Sequence, residues 1–545
     1  MRLDAFLRMV SCTQGDICYI IGAKTGLVND SLYFIGGNYS VVSLDGQTIS
    51  PSTTLYSLDV NNQFPVERSI PQSLLTDTTI ASQITAAYNS SLIGSNGDAA
   101  GALWHTNDTI YIFGGGFETP TNSVSSYNVR TSEWKEVEVK GGSFNFGNRS
   151  SAQYVSVPER NLGFVGMIRF DASDPNNLSW TNETLGNGSY GADVPNLDSG
   201  TMVYVPAGKE GMLISFGGSN VAEGINPAWG WPYDSDWYTI YVYDIASHTW
   251  WQQLASGNAP SHTGSFCAAV TTSPDNDAFH ITTYGGWSLN NGRSYEDVHI
   301  LSLPSFTWIN ATLLSNKSNK EEQVNSTIGR DSITGGCQTY RGAQMIVLGG
   351  DIRAGAYRLT NGACNDVFSP VRVLDLSTYV WQTELNNSAS YEVPAVIYNA
   401  IGGGATGGAT STAPAAGFAD PTLASLIQLR VTSATSTSIP TSSVPTPTPT
   451  PTLNPSGVAS ESHSSSVNAG AIVGGVVGGV IGLGLVAAFV WFLFKRNHSQ
   501  EESPEIEQKN AAKVFPSIPQ EMETRLPQKP EADSGPIFEM PETTK

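Results

Sequence analysis

Short apolar runs that end in Gly-Gly recur five times along the chain: Leu32–Gly37, Ile110–Gly115, Leu213–Gly218, Ile281–Gly286 and Met345–Gly350. Each run has the length of a buried strand. Paired glycines at its end mark a sharp turn, a positive φ or a close backbone approach. In four of the five copies a second apolar strand follows, with an apolar side chain seven residues before a Trp. These pairs are Tyr127 with Trp134, Tyr243 with Trp250, Leu301 with Trp308, and Leu374 with Trp381. In the first copy Phe64 falls close to where the Trp is expected. A unit repeated in this way is a supersecondary repeat and is read before anything else.

The spacing points to one further copy. Gly115 and Gly218 are 103 residues apart, whereas Gly218 to Gly286 is 68 and Gly286 to Gly350 is 64. Midway lies Leu162–Met167 (LGFVGM), with Gly166 51 residues after Gly115 and 52 before Gly218. This reads as a degenerate unit that has lost one glycine, with Trp180 as the remnant of its own Trp and Gly166 in the place of the second glycine. Six units then cover roughly Ile17 to Leu385.

The Gly-Gly strand paired with a Trp-bearing strand resembles the kelch repeat. The resemblance implies an all-β fold, a kelch-type β-propeller over residues 17–400, with six blades and seven as the alternative count. In such a fold each unit is a small twisted antiparallel sheet, and neighbouring sheets pack face to face around a channel. The Trp fills the wedge between blades, which widens away from the axis.

Composition changes the picture at both ends. The net charge is −21, of which −3 falls in 495–545, so the repeat region carries no basic excess that would suit nucleic acid or an anionic lipid surface. Residues 471–494 contain no charge and no proline, long enough to span a bilayer. Lys495 and Arg496 follow at once, which places 495–545 in the cytoplasm and the repeats on the extracellular or luminal side of a plasma membrane or endomembrane. Twelve Asn-x-Ser/Thr sequons precede that span: Asn29, Asn38, Asn89, Asn107, Asn148, Asn177, Asn182, Asn187, Asn310, Asn316, Asn325 and Asn386. Only Asn497 follows it, and the asymmetry agrees with the charge rule. Gly470, Gly474, Gly478 and Gly482 form one flat helix face suited to a homodimer contact. Residues 1–16 lack an apolar signal region and read as an incomplete N-terminal segment.

Residues 401–468 read as a stalk, Gly-rich at first and then Ser/Thr/Pro-rich, extended and open to O-glycosylation. Just before it, Glu392–Thr410 begins apolar and reads as an added strand or strap on the propeller. The tail 495–545 is disordered by composition and carries two PxxP segments that suit an SH3 domain. Of the five cysteines, Cys337 and Cys364 flank the inner strands of the last unit and are expected to pair. Cys12 and Cys18 could form a local bridge, and Cys267 reads as a small buried hydrophobe.

Kelch propellers serve both catalysis and binding, and the fold does not choose between them. The enzymatic branch, similar to galactose oxidase, uses a Tyr crosslinked to a Cys, a Tyr-His dipeptide and another His around copper. This chain has no Tyr-His dipeptide, and His105, His248, His262, His280 and His299 show no ligand spacing. A copper-radical oxidase or another carbohydrate-active enzyme therefore stands as the alternative. The whole chain resembles single-pass fungal kelch membrane proteins instead, which implies a non-catalytic protein without cofactor or metal that binds protein or glycan ligands. The expected ligand surface is the long aromatic insert Ala228–Tyr238. In it Trp229, Trp231, Tyr233, Trp237 and Tyr238 suit stacking on sugar rings, beside Asp234 and Asp236.

Overall fold

In the computed structural model the described residues are 14–431, apart from 44–45, 53, 67–68, 80–100, 114–121, 144–152, 184–196, 227–230, 262–263, 289–292, 316–335, 352, 355–356 and 359–368. The span 471–494, its glycine face, the tail and the Ser/Thr/Pro stretch from 432 lie outside the described residues. Among the described residues no helix is long and apolar enough to cross a membrane.

Six blades, each built around four antiparallel strands in chain order, form a closed ring; the blade 5 sheet gains a fifth, Ser256–Gly257, which pairs parallel to its outer strand Thr307–Asn310. Their inner strands are Lys24–Val28, Ala102–His105, Tyr154–Val157, Thr201–Val205, Cys267–Thr272 and Cys337–Tyr340. They touch one another in that order, and the sixth meets the first. The propeller expected from the repeats is therefore six-bladed.

The seven-residue spacing has a simple structural origin. Tyr127 lies directly opposite Trp134 in the hairpin between the third and outer strands, and the same holds for Tyr243 and Trp250, Leu301 and Trp308, and Leu374 and Trp381. The spacing is thus a hairpin register, which local turn length sets. Each Trp sits against its cross-strand neighbour, with ring centroids 4.9 Å apart for Tyr127 and Trp134 and 4.8 Å for Tyr243 and Trp250. In blade 1 the corresponding slot is filled by Leu75, opposite Leu58, and not by Phe64. Phe64 instead belongs to an insert between the third and outer strands.

Leu162–Val165 is the buried second strand of blade 3, as the degenerate unit requires, and Trp180 lies opposite Phe170. One detail differs. Gly166 follows the strand immediately, as Gly217 follows Phe216, so it takes the place of the first glycine of the pair and Met167 that of the second. Val165 pairs with Ile168, leaving a two-residue turn in which Gly166 has φ 50°.

Blades are stitched to their neighbours by aromatic packing and by backbone. Trp104 of blade 2 stacks on Phe170 of blade 3 at 4.7 Å, and its indole donates to Phe164 O. Trp308 of blade 5 donates to Trp237 O across the seam with blade 4. Among the described residues, closure of the ring uses no exchanged strand. The blade 1 insert hydrogen-bonds to blade 6 through Val66 N to Thr383 O and Leu385 N to Phe64 O. Arg341 of blade 6 donates to Asp30 and Asn61, and the early strand Ile17–Ile21 contributes Ile17 and Ile20 to the apolar cluster between blades 6 and 1.

The cysteine pairing is corrected. Cys337 is bonded to Cys267, joining the starts of the inner strands of blades 5 and 6 with Cα atoms 5.5 Å apart. Inner strands of adjacent blades lie side by side around the axis, which brings together two cysteines 70 residues apart; Cys364 lies outside the described residues. Cys267 is accordingly a bridged cysteine and not a free buried one. Cys18 is also disulfide-bonded.

The segment after blade 6 is a strap and not a strand. It contains helices Ala395–Ile401 and Pro421–Leu426, the second started by Asp420, whose carboxylate accepts from Thr422 N. Ile397 and Ile401 enter the apolar cluster of blades 5 and 6, and Leu423 and Ile427 that of blades 4 and 5. Folded chain therefore continues past 401, where the stalk was expected, as far as Val431, whose N–H donates to Pro206 O.

Candidate ligand-binding channel and crown

In a four-stranded up-and-down blade the first-to-second and third-to-outer turns fall on one face of the ring. The second-to-third and blade-to-blade connections fall on the other. Apart from the blade 1 insert between Asp59 and Leu75, the first face has short turns. Asn29 and Asp30 both have positive φ between Val28 and Ser31, the geometry of a tight two-residue hairpin. The strap runs along this face, bonding to the turns of blades 6, 5 and 4 through Glu392 N to Ser377, Gly408 N to Asp275 and Gly208 N to Leu429 O.

The opposite face is a crown of inserts. Blade 1 carries the hairpin Asn38–Ser43 and Gly46–Pro51, blade 4 carries Ser219–Asn226 and Trp231–Asp234, and blades 5 and 6 each carry a two-strand hairpin. Blade 3 has only the two residues Gly166 and Met167 between its second and third strands.

Between the faces runs a central channel of about 430 Å³, walled by the inner strands of all six blades. Tyr154 of blade 3 reaches across to blade 1, where its hydroxyl accepts from Thr25 N (2.9 Å) and donates to Thr25 O (3.4 Å). Gln338 of blade 6 donates to Thr25 Oγ1 at 3.0 Å, so three blades are tied at one level. Gln153, with its amide oriented to suit its neighbours, donates to Thr201 O and accepts from Thr201 N of blade 4. Thr339 of blade 6 donates to Val270 O of blade 5 at 2.9 Å.

Burial sets the protonation of this wall. It pushes His105 down to about 4, against the opposing hydrogen bond to Thr106 O. Burial raises Tyr154 to about 12, and burial together with the charge of Glu159 raises Tyr204 to about 12. Near neutral pH these three side chains are uncharged, and Glu159 is exposed at the mouth. The wall offers hydroxyl, amide and imidazole hydrogen bonds to a neutral polar guest.

The aromatic insert divides. Trp237 is 2% exposed, 4.7 Å from Phe266 and 5.5 Å from Trp308 by ring centroids, and belongs to the core of blades 4 and 5. That assignment corrects its expected place on a ligand surface: the wedge beneath the insert needs a large apolar body. Tyr238 is exposed and donates to Gly257 O. Trp231 and Tyr233 belong to the crown strand that pairs with Ser219–Asn226, and Trp229 lies outside the described residues.

The histidines occupy separate places. His105 lines the channel, His280 is fully buried in blade 5, and His299 bonds to Asn258 O. His248 bonds to Glu183, which also accepts from Tyr243. Sequence reasoning passed over the channel residues, because nothing local marks Tyr154 or Gln338 as facing the same axis. Of the sequons, Asn29, Asn107, Asn177, Asn182, Asn310 and Asn386 are exposed and Asn38 is half-buried. Asn89, Asn148, Asn187, Asn316 and Asn325 lie outside the described residues.

Residues 105–138, which run from the end of the inner strand of blade 2 to the end of its outer strand, match the Kelch motif. A "Kelch repeat-containing protein" of Arthroderma benhamiae (strain ATCC MYA-4681 / CBS 112371) is 25% identical over 494 residues, covering 75% of this chain and 66% of that relative. The match thus spans just under two thirds of the relative's own length.

Proposed function

We propose that this kelch-motif propeller is a non-catalytic binding module, held on the extracellular or luminal side of a membrane by 471–494, that recognises a protein or glycan ligand at its crown. The observation that carries the reading is the division of labour between the two faces. One face has short turns, the blade 1 insert excepted, and a strap packed across three blades. The other combines a rigid ring with inserts of unequal length, the arrangement in which variable loops carry recognition. Trp231 and Tyr233 of the blade 4 insert are the residues assigned to ligand contact, with Tyr238 at its base.

The location rests on the charge asymmetry around 471–494, the sequon distribution and the Cys267–Cys337 bond, since disulfides persist in oxidising compartments. The test is topological. Expressed behind a working signal peptide, the chain should lose mass on removal of N-glycans, and protease outside intact cells or sealed vesicles of luminal-out orientation should release the propeller. A protected propeller with an accessible tail would reverse the assignment. For the ligand, the purified chain on an array of glycans and cell-wall polymers should bind a discrete set, and Trp231→Ala should remove that binding.

A further inference from the structure

One face of the blade 5 sheet carries a row of polar side chains that its surroundings leave unmatched. His280 of the second strand lies opposite Thr271 on the inner strand and Ser302 on the third strand. Directly opposed residues share a face of a sheet, so the three side chains lie side by side. His280 and Ser302 are 0% exposed and Thr271 is 2% exposed. Both ring nitrogens of His280, Thr271 Oγ1 and Ser302 Oγ have no protein partner among the described residues. Over them lies Tyr391 of the strap, its ring centroid 6.3 Å from that of His280 and its hydroxyl likewise buried and unmatched. Buried polar groups left in this way, with at most trapped water for company, hold a packed interface weakly. Here they all lie at one seam, between the propeller and its C-terminal strap.

We propose that the strap, residues 388–431, is an acid-released latch whose trigger is His280. An imidazolium cannot be accommodated in this place without a counter-charge or water. The titratable groups around His280 are Tyr391 from the strap and Asp275 from the turn of its own blade, while Tyr379 of blade 6 is bonded to Thr282 Oγ1 two residues along the strand. The neighbouring strands contribute only Thr271 and Ser302. Of these groups Asp275 alone carries charge near neutral pH, and its carboxylate is already engaged by Ser273 and by Gly408 N of the strap.

The sign follows from linkage. Burial lowers His280 to about 4 from 6.5, with Asp275 opposing. Once the strap has lifted and water enters, the ring returns toward its ordinary value and binds a proton that the closed form refuses. The opening equilibrium therefore rises about tenfold per pH unit as pH falls from about 6.5 to about 4. Asp275 acts in a different window. Burial raises it, but the hydrogen bonds from Ser273, Gly408 N and Asp277 N outweigh burial and hold it below 3.8. Its contribution to strap docking is thus complete across the His280 window and is lost only below it. Opening would bare the apolar faces now covered by Ile397, Ile401 and Leu423.

The experiment is hydrogen exchange on the purified full chain from pH 7.5 to 4.0, corrected for the intrinsic pH dependence of exchange. Amides of the strap that bond to the propeller or within its helices, such as Ile397, Gly408 and Ile427, should lose protection about tenfold per unit below pH 6.5. Amides of Met212–Phe216 in blade 4 should keep theirs. His280→Met and His280→Gln should each flatten the profile of the strap over the same range. Strap protection that does not change between pH 6.5 and 4 in the unaltered chain overturns the proposal by itself, whatever the variants do. A profile retained in either folded variant, or a loss that begins only below pH 3.8, also overturns it and would assign the effect to Asp275.

Discussion

Blades 3 and 4 share one frame and differ in almost everything hung on it. Each has four strands in the same order, and each places a Trp opposite an aromatic residue, Phe170 with Trp180 and Tyr243 with Trp250. Yet blade 3 passes from its second to its third strand in the two residues Gly166 and Met167, and blade 4 takes Gly217 to Tyr238. The frame is under the constraint of packing against both neighbours, whereas the blade 4 connection re-enters the core at Trp237. A blade can lose a glycine and its whole insert and still close the ring, provided its wedge stays filled. The length of the crown inserts can therefore vary while the ring stays closed.

The sharpest way to break this comparison is to empty the wedges. Trp237→Ala in blade 4 and Trp180→Ala in blade 3 should each cost about 3–5 kcal/mol in denaturant unfolding, because both side chains are almost fully buried against aromatic neighbours. A cost below about 1 kcal/mol at Trp180 would mean that blade 3 is not held as its neighbours are. A smaller loss is expected from Gly163→Ala on the second strand of blade 3. An added Cβ would lie 2.4 Å from Trp104 Cγ, so the ring of blade 2 must move, at about 1–3 kcal/mol.

Gly166→Ala tests the turn itself. No atom lies within 4 Å of the added Cβ, so only the positive φ opposes it, and the expected loss is about 1–2 kcal/mol. Smallest in stability, and largest in its consequence for function, is Trp231→Ala on the crown. The proposed ligand role requires its midpoint to stay within about 0.5 kcal/mol of the parent chain while array binding is lost. Equal losses of stability at Trp231 and Trp237 would join the insert to the core and move the ligand surface elsewhere.

Much of the frame was legible in the chain because it is local. A Trp seven residues after its partner is a hairpin register, readable wherever strand and turn are contiguous; the degenerate blade was legible from the spacing of the glycine-ended strands, although its Trp180 stands ten residues after Phe170. The same reasoning misjudged Phe64, since an insert of unforeseen length let Leu75 take the slot beside Leu58. In the insert of blade 4, composition alone could not separate Trp237, which fills a wedge, from Trp231 six residues earlier on the crown strand.

What the sequence by itself determined is the repeat count, the hairpin register and the Trp residues set by that register, because each depends on contacts between neighbouring strands of one unit. Only the tertiary structure decided which groups meet across units. It joined Cys267 to Cys337 over 70 residues, set Tyr154 against Thr25 across the channel, and folded Ala395–Ile401 under blades 5 and 6. The physical reason is that closing a ring brings together residues whose separation in sequence is set by the number of blades between them. No periodicity in the chain records which faces will touch until the circle is complete.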